Sequence, residues 1–178
     1  MVHDPDLLDR LGAFQPVRFD DVVFRTTRQG LDPLTGSYAG GRWAPRDLMP
    51  VLYTCMVRDG ALAEISFHLS QLNPVPSKPV VLHRIRVSAG SVIRLLQANL
   101  PDLGVDASQY SSVNYRRTQE IGAAVAFLEC DGLIAPSARW ATDNLVLFME
   151  NHGLAEKLEL EHSETMDWQA WARTQGRI

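Results

Sequence analysis

Six polar residues stand at the borders of strongly apolar segments and are the ones whose types can do chemistry. Arg25 directly follows "VVF", and Arg42 follows two glycines in "SYAGGRWAP". Tyr53 lies inside "VLYTCM", Glu64 on "ALAEISFHL", and Ser137 and Asn144 bracket the loop before the last strong apolar run. Together they offer two cationic forks, a phenol, a carboxylate, a hydroxyl and an amide, which are groups that bind, orient and stabilise charge. No base is identifiable beside Ser137, so it reads as a hydrogen-bonding orienter and not as a nucleophile. Each residue also has an ordinary structural reading: a strand-end charge for Arg25, a core aromatic for Tyr53, a solvated helix residue for Glu64, a turn cap for Ser137.

Other chemistries lack their residues. No G-x-G-x-x-G follows a strand, and there is no P-loop lysine. The histidines (His3, His68, His83, His152, His162) show no metal-ligand spacing, and neither cysteine sits in a C-x-x-C. His68, near an apolar stripe, and His83, within a strand, read as structural. No serine lies in a G-x-S-x-G elbow. A hydrolase triad or a metal enzyme is not indicated.

These positions must be held by one domain, which 178 residues suffice to build around a core. Hydrophobic residues make up 46% and charged ones 21%, the balance of a globular chain. Seventeen basic against 21 acidic residues give a net charge of −4, which argues against a broad face for DNA or RNA but leaves room for a small basic pocket. Cys55 and Cys130 sit in apolar runs and read as reduced core thiols. The acidic start "MVHDPDLLDR" does not read as a signal peptide, and no apolar run approaches a membrane span. The expectation is a cytoplasmic domain with no membrane contact.

The elements follow from periodicity. "DDVVFRTT", "VLYTCM", "VVLHRIRV" and "NLVLFM" read as strands, with a brief one in "DGLIAPSARW". In "DGALAEISFHLSQL", Ala61, Leu62, Ile65, Leu69 and Leu72 form a helical stripe with Asp59 as N-cap, and Glu64 at the stripe's edge. "RTQEIGAAVAFLEC" places Ile121, Ala124, Val125 and Leu128 at helical spacing. "GSVIRLL" is expected to turn back as a short helix and "YSSVNY" to be loop. The tail "SETMDWQAWARTQ" reads as a helix capped by Ser163. Strands close together with helices interspersed irregularly predict an α+β fold.

Taken jointly, the spacing GGRW-x9-Y-x10-E followed by "DGLIAPSAR…N" resembles the RES domain family, from about Val23 to Met149. The resemblance implies an ADP-ribosyltransferase-like fold of mixed sheets flanked by helices. It divides the chain into a lead-in (1–20), a RES domain (21–153) and a helical extension (154–178) that it covers poorly. It implies the toxin half of a bacterial toxin–antitoxin pair that attacks the nicotinamide bond of NAD+, by hydrolysis (a glycohydrolase) or by phosphorolysis with inorganic phosphate as co-substrate. No cofactor is required, because NAD+ is the substrate. The implied partner is an Xre-like helix-turn-helix antitoxin, with a dimer within that complex. Protein ADP-ribosylation and a catalytically silent binding module are the alternatives.

Carried over, the family's arginine, tyrosine, glutamate and serine fall on Arg42, Tyr53, Glu64 and Ser137 as catalytic residues. Arg25 and Asn144 join Arg42 and Tyr53 in substrate binding. The family commonly has asparagine after "GGRW", where this chain has Ala44, removing a hydrogen bond at the loop. The residue types suit the substrate: arginine forks hold a diphosphate, paired glycines allow close approach, and a tyrosine face suits the nicotinamide cation. Cleavage builds oxocarbenium-like charge on the ribose, which Glu64 can stabilise.

Overall fold

The computed structural model describes residues 3–178. The chain runs α1 (Pro5–Gly12), β1 (Val17–Arg28), β2 (Val51–Cys55), α2 (Arg58–Ser70), β3 (Val80–Arg94), three 3-10 turns, α3 (Arg116–Phe127), β4 (Gly132–Pro136), β5 (Asp143–Phe148), β6 (Leu158–Met166) and α4 (Trp168–Thr174). The α+β expectation holds. Among the described residues, no helix is long and apolar enough to cross a membrane.

The strands are ordered β1-β2-β5-β4-β3-β6, and β1 also pairs with β3, so five strands close into a circuit. Only β3 and β4 are parallel; the 3-10 turns and α3 form the crossover between them. All five strands contribute to the interior, through Val23, Leu52, Val87, Ile134 and Leu147 among others. Two further apolar clusters lie on the outside. One, beneath α1 and α3, contains Trp43, Val51, Ile121 and Val146; the other, beneath α2 and α4, contains Cys55, Leu62, Leu82 and Trp168.

Several local expectations change. "GSVIRLL" does not turn back: β3 continues to Arg94, because Val92 and Ile93 reach the register of Gly132 and Leu133. A strand pairing won over a short helical pattern. In the tail, Ser163 caps nothing. It lies in β6, opposite His83, and the helix begins later, with Asp167 accepting from the Ala170 amide at 2.9 Å. β6 is an edge strand whose Glu161 and Glu164 pair with Arg84 and Arg58 at 3.0 and 3.1 Å. Such a charged edge discourages further strand addition. Asp59 does not cap α2 either. The cap position is Val57, without a side-chain bond, and Asp59 accepts from the Trp171 indole at 3.0 Å instead. Cys55 and Cys130 are buried free thiols. His83 bridges Thr27 and Ser163, each at 2.8 Å, as a structural histidine does.

Candidate active site

Glu64, on α2, is the centre of the arrangement. Its Oε1 accepts from Ser137 Oγ at 2.8 Å and from Asn144 Nδ2 at 3.1 Å. Strand register brings these groups together across the chain: Asn144 on β5 lies opposite Cys55 of β2 and Ala135 of β4. Ser137 follows β4 by one residue, and its amide donates to the Thr142 carbonyl at 2.8 Å, closing the β4–β5 loop. Ser137 Oγ also accepts from the amides of Arg139 and Trp140, at 3.1 and 3.3 Å. Both side-chain bonds land on Oε1 of the carboxylate, which leaves Oε2 for a ligand.

Arg42 forms the second part. Its guanidinium lies between two aromatic rings, 4.7 Å from the centroid of Tyr110 and 4.6 Å from that of Tyr115. Its Nη2 donates to the Ser112 carbonyl at 3.2 Å. A cavity of about 440 Å³ opens beside it, lined also by Tyr110, Ser112, Arg116 and Arg117, a size suited to a small-molecule ligand. Glu64 does not line that cavity. Burial raises the pKa of the Tyr110 phenol, on which the charges of Arg42 and Glu64 also act. Its hydroxyl donates to the Pro136 carbonyl at 2.5 Å, tying the segment to the end of β4.

The loop carrying Arg42 is supported from below. Gly40 has φ +73°, a left-handed conformation that favours glycine. Gly41 is needed for a different reason: a Cβ there would come 2.7 Å from the Tyr53 hydroxyl. That hydroxyl accepts from the Trp43 amide at 2.9 Å, and burial pushes its pKa far up. Tyr53 is thus the prop of the loop, with its ring packed against the core beneath α3. Ala44 is fully buried, and its carbonyl accepts from the Gly41 amide at 2.9 Å and from Gln119 Nε2 at 3.4 Å. Backbone and Gln119 therefore hold the turn at Ala44.

Arg25 stands apart from this constellation. Phe24 lies opposite Cys55, whose face carries Asn144, and strand alternation turns Arg25 to the other face, opposite His83. One guanidinium nitrogen of Arg25 is buried without a partner, and desolvation lowers its pKa.

Sequence reasoning missed four neighbours of Glu64 and Arg42. The tyrosines Tyr110 and Tyr115 fall in a segment read as plain loop; two aromatics spaced five apart in a polar stretch were the available signal. Arg139 stacks on Phe67, 3.4 Å from its centroid. His68, one turn after Glu64, is exposed, yet partial desolvation lowers its pKa, with Glu64 acting to raise it and Arg139 and Arg42 to lower it.

Residues 22–169 match the RES domain family. The chain belongs to that family. The match covers α2, both strands of the β4–β5 loop and β6. The chain is 24% identical over 143 residues to the NAD(+) phosphorylase MbcT of Mycobacterium tuberculosis and of Mycobacterium bovis, covering 76% of this chain and 77% of each relative. Its fold matches the crystal structure of the M. tuberculosis MbcT–MbcA toxin–antitoxin complex with a TM-score of 0.83. That likeness covers 97% of this chain and 98% of the other at 23% identity.

Proposed function

We propose that this RES protein degrades NAD+ by phosphorolysis of the nicotinamide–ribose bond, and that it is a toxin held in check by an antitoxin. The observation that carries the reading is the Glu64 carboxylate, oriented by Ser137 and Asn144 through Oε1 alone. A carboxylate so held is preorganised for positive charge that develops only in the transition state. The family and the naming of MbcT as an NAD(+) phosphorylase support the substrate and the acceptor.

In the proposed reaction the C1″–N bond breaks, and its electron pair leaves with nicotinamide, which becomes neutral. Oxocarbenium-like charge gathers on the ribose beside Glu64 Oε2. A phosphate oxygen then forms the new bond to C1″, giving ADP-ribose-1″-phosphate. Arg42 binds the substrate's anionic portion; Ser137 and Asn144 orient Glu64; Tyr53 positions Arg42 through its loop. The likeness to a toxin–antitoxin complex supports the partner, for which we propose an Xre-like helix-turn-helix antitoxin that suppresses NAD+ loss on co-expression.

The test is NAD+ consumption by the purified protein with and without inorganic phosphate, followed by phosphorus NMR. Nicotinamide release with ADP-ribose-1″-phosphate is expected, and Glu64→Gln lowers turnover about 100-fold or more. ADP-ribose formed at a phosphate-independent rate makes the enzyme a glycohydrolase. Label transferred to protein makes it an ADP-ribosyltransferase. An unchanged rate in a folded Glu64→Gln variant rejects the site.

A further inference from the structure

Arg42 and Arg139 come from different loops and end on consecutive backbone carbonyls. Arg42 Nη2 donates to Ser112 O at 3.2 Å, and Arg139 Nη1 donates to Ser111 O at 2.7 Å. Among the described residues neither guanidinium has a carboxylate in ion-pair range, whereas Arg58, Arg84, Arg86, Arg94 and Arg117 each meet an acidic neighbour. Two cations brought to one strip of backbone repel each other, and two carbonyl dipoles only partly offset that.

Arg139 is fixed along its whole length. Its amide donates to Ser137 Oγ at 3.1 Å, and its carbonyl accepts from Arg177 Nη2 at 2.6 Å. Its guanidinium carbon lies over the Phe67 ring of α2, 3.4 Å from the centroid. What remains is Nη2, buried and without a hydrogen-bond partner. A cationic donor in that position carries a full desolvation penalty, and folded proteins rarely leave such a group unmatched. The fork is held rigid by stacking and by one bond, with its other arm left for an acceptor.

We propose that Arg139 is a substrate-binding residue that completes, with Arg42, a two-pronged clamp on the diphosphate of the dinucleotide. The clamp rests on the reading of this site as NAD+-cleaving and adds its specificity: the protein selects dinucleotides over nicotinamide mononucleotide. Lysine cannot replace Arg139 fully, because an ammonium lacks the planar fork and the stacking on Phe67.

The test compares wild type, Arg139→Ala and Arg139→Lys, with thermal melts to confirm folding. KM and kcat are measured for NAD+ and for nicotinamide mononucleotide, and the affinity for ADP-ribose is measured by calorimetry. In Arg139→Ala, KM for NAD+ is expected to rise about ten-fold or more while kcat changes much less. The preference for NAD+ over the mononucleotide falls by a similar factor, ADP-ribose binds about ten-fold more weakly, and Arg139→Lys recovers only part of each. Equal losses on both substrates, or a loss confined to kcat, overturn the clamp and leave Arg139 as a support of the Ser137 loop. Unchanged KM and ADP-ribose affinity also overturn it, with NAD+ cleavage standing. Arg139-dependent ADP-ribose binding by a wild type that leaves NAD+ intact supports the clamp and rejects the cleavage.

Discussion

Ser137 Oγ has one proton, which it donates to Glu64 Oε1, while it accepts from two backbone amides. The hydroxyl therefore orients the carboxylate and fixes the start of its own loop. Ser137→Ala removes one charge-assisted bond and uncaps two amides, a loss of about 1.5–3 kcal/mol for the first alone. NAD+ turnover is expected to fall roughly 10- to 100-fold. Complete loss of activity in a folded variant, as for a missing nucleophile, would contradict the orienting role; single-turnover assays have the range to tell the two apart. At this scale the sequence was informative for Glu64, Ser137 and Asn144, whose side chains meet although 73 and 80 residues separate them from Glu64. It was uninformative for Arg139 and His68, because a charge beside a tryptophan and a histidine on a stripe have no signature until the helix and the loop face each other.

The elements place the arginine loop by contact of backbone on backbone. Helix α3 crosses "GGRW" at Gly122, where a Cβ would come 1.7 Å from the Trp43 carbonyl oxygen. No rotamer relieves that, so the helix or the loop must move. Gly122→Ala is expected to destabilise the protein by about 1–3 kcal/mol, seen as a melting temperature lower by several degrees, and to raise KM for NAD+ as Arg42 shifts. Gly12→Ala, at a site with nothing within 4 Å, is the matched control and melts like wild type. Equal melting of both variants would show that the crossing is looser than its geometry. The glycine pair before Arg42 was conspicuous in the sequence, but Gly122 looked like an ordinary helix residue, since its partner is a carbonyl 79 positions away. The same holds for "YSSVNY": a polar loop by composition, it became the platform on which Arg42 and Arg139 end only when Tyr110 bonded to the end of β4.

Across the whole molecule, burial of phenol and thiol groups in the clusters around the strand circuit ties stability to alkaline pH. Desolvation raises Cys55 from the ordinary thiol value of 9.0 to about 11, and Tyr53 higher still. A raised folded pKa means that the native state holds the proton more tightly than the unfolded chain. The Cys55 contribution is thus complete below pH 9.0 and is lost as pH climbs toward about 11. Melting temperature is expected to decline across that window, and Cys55→Ala, though less stable throughout, declines less steeply. Parallel slopes in the two proteins would remove Cys55 as the cause. By itself the sequence determined the α+β class, the strands around Tyr53 and Asn144, the helix carrying Glu64, and the family, because apolar periodicity and a long motif are local or linear signals. Only the tertiary structure decided that β3 continues to Arg94, that β6 precedes the last helix, that Arg25 lies on the strand face opposite to Asn144, and that Arg139 packs on Phe67 of the helix carrying Glu64. Those outcomes depend on pairing between distant strands and on which face each side chain takes once the circuit closes, and neither is encoded in the neighbouring residues.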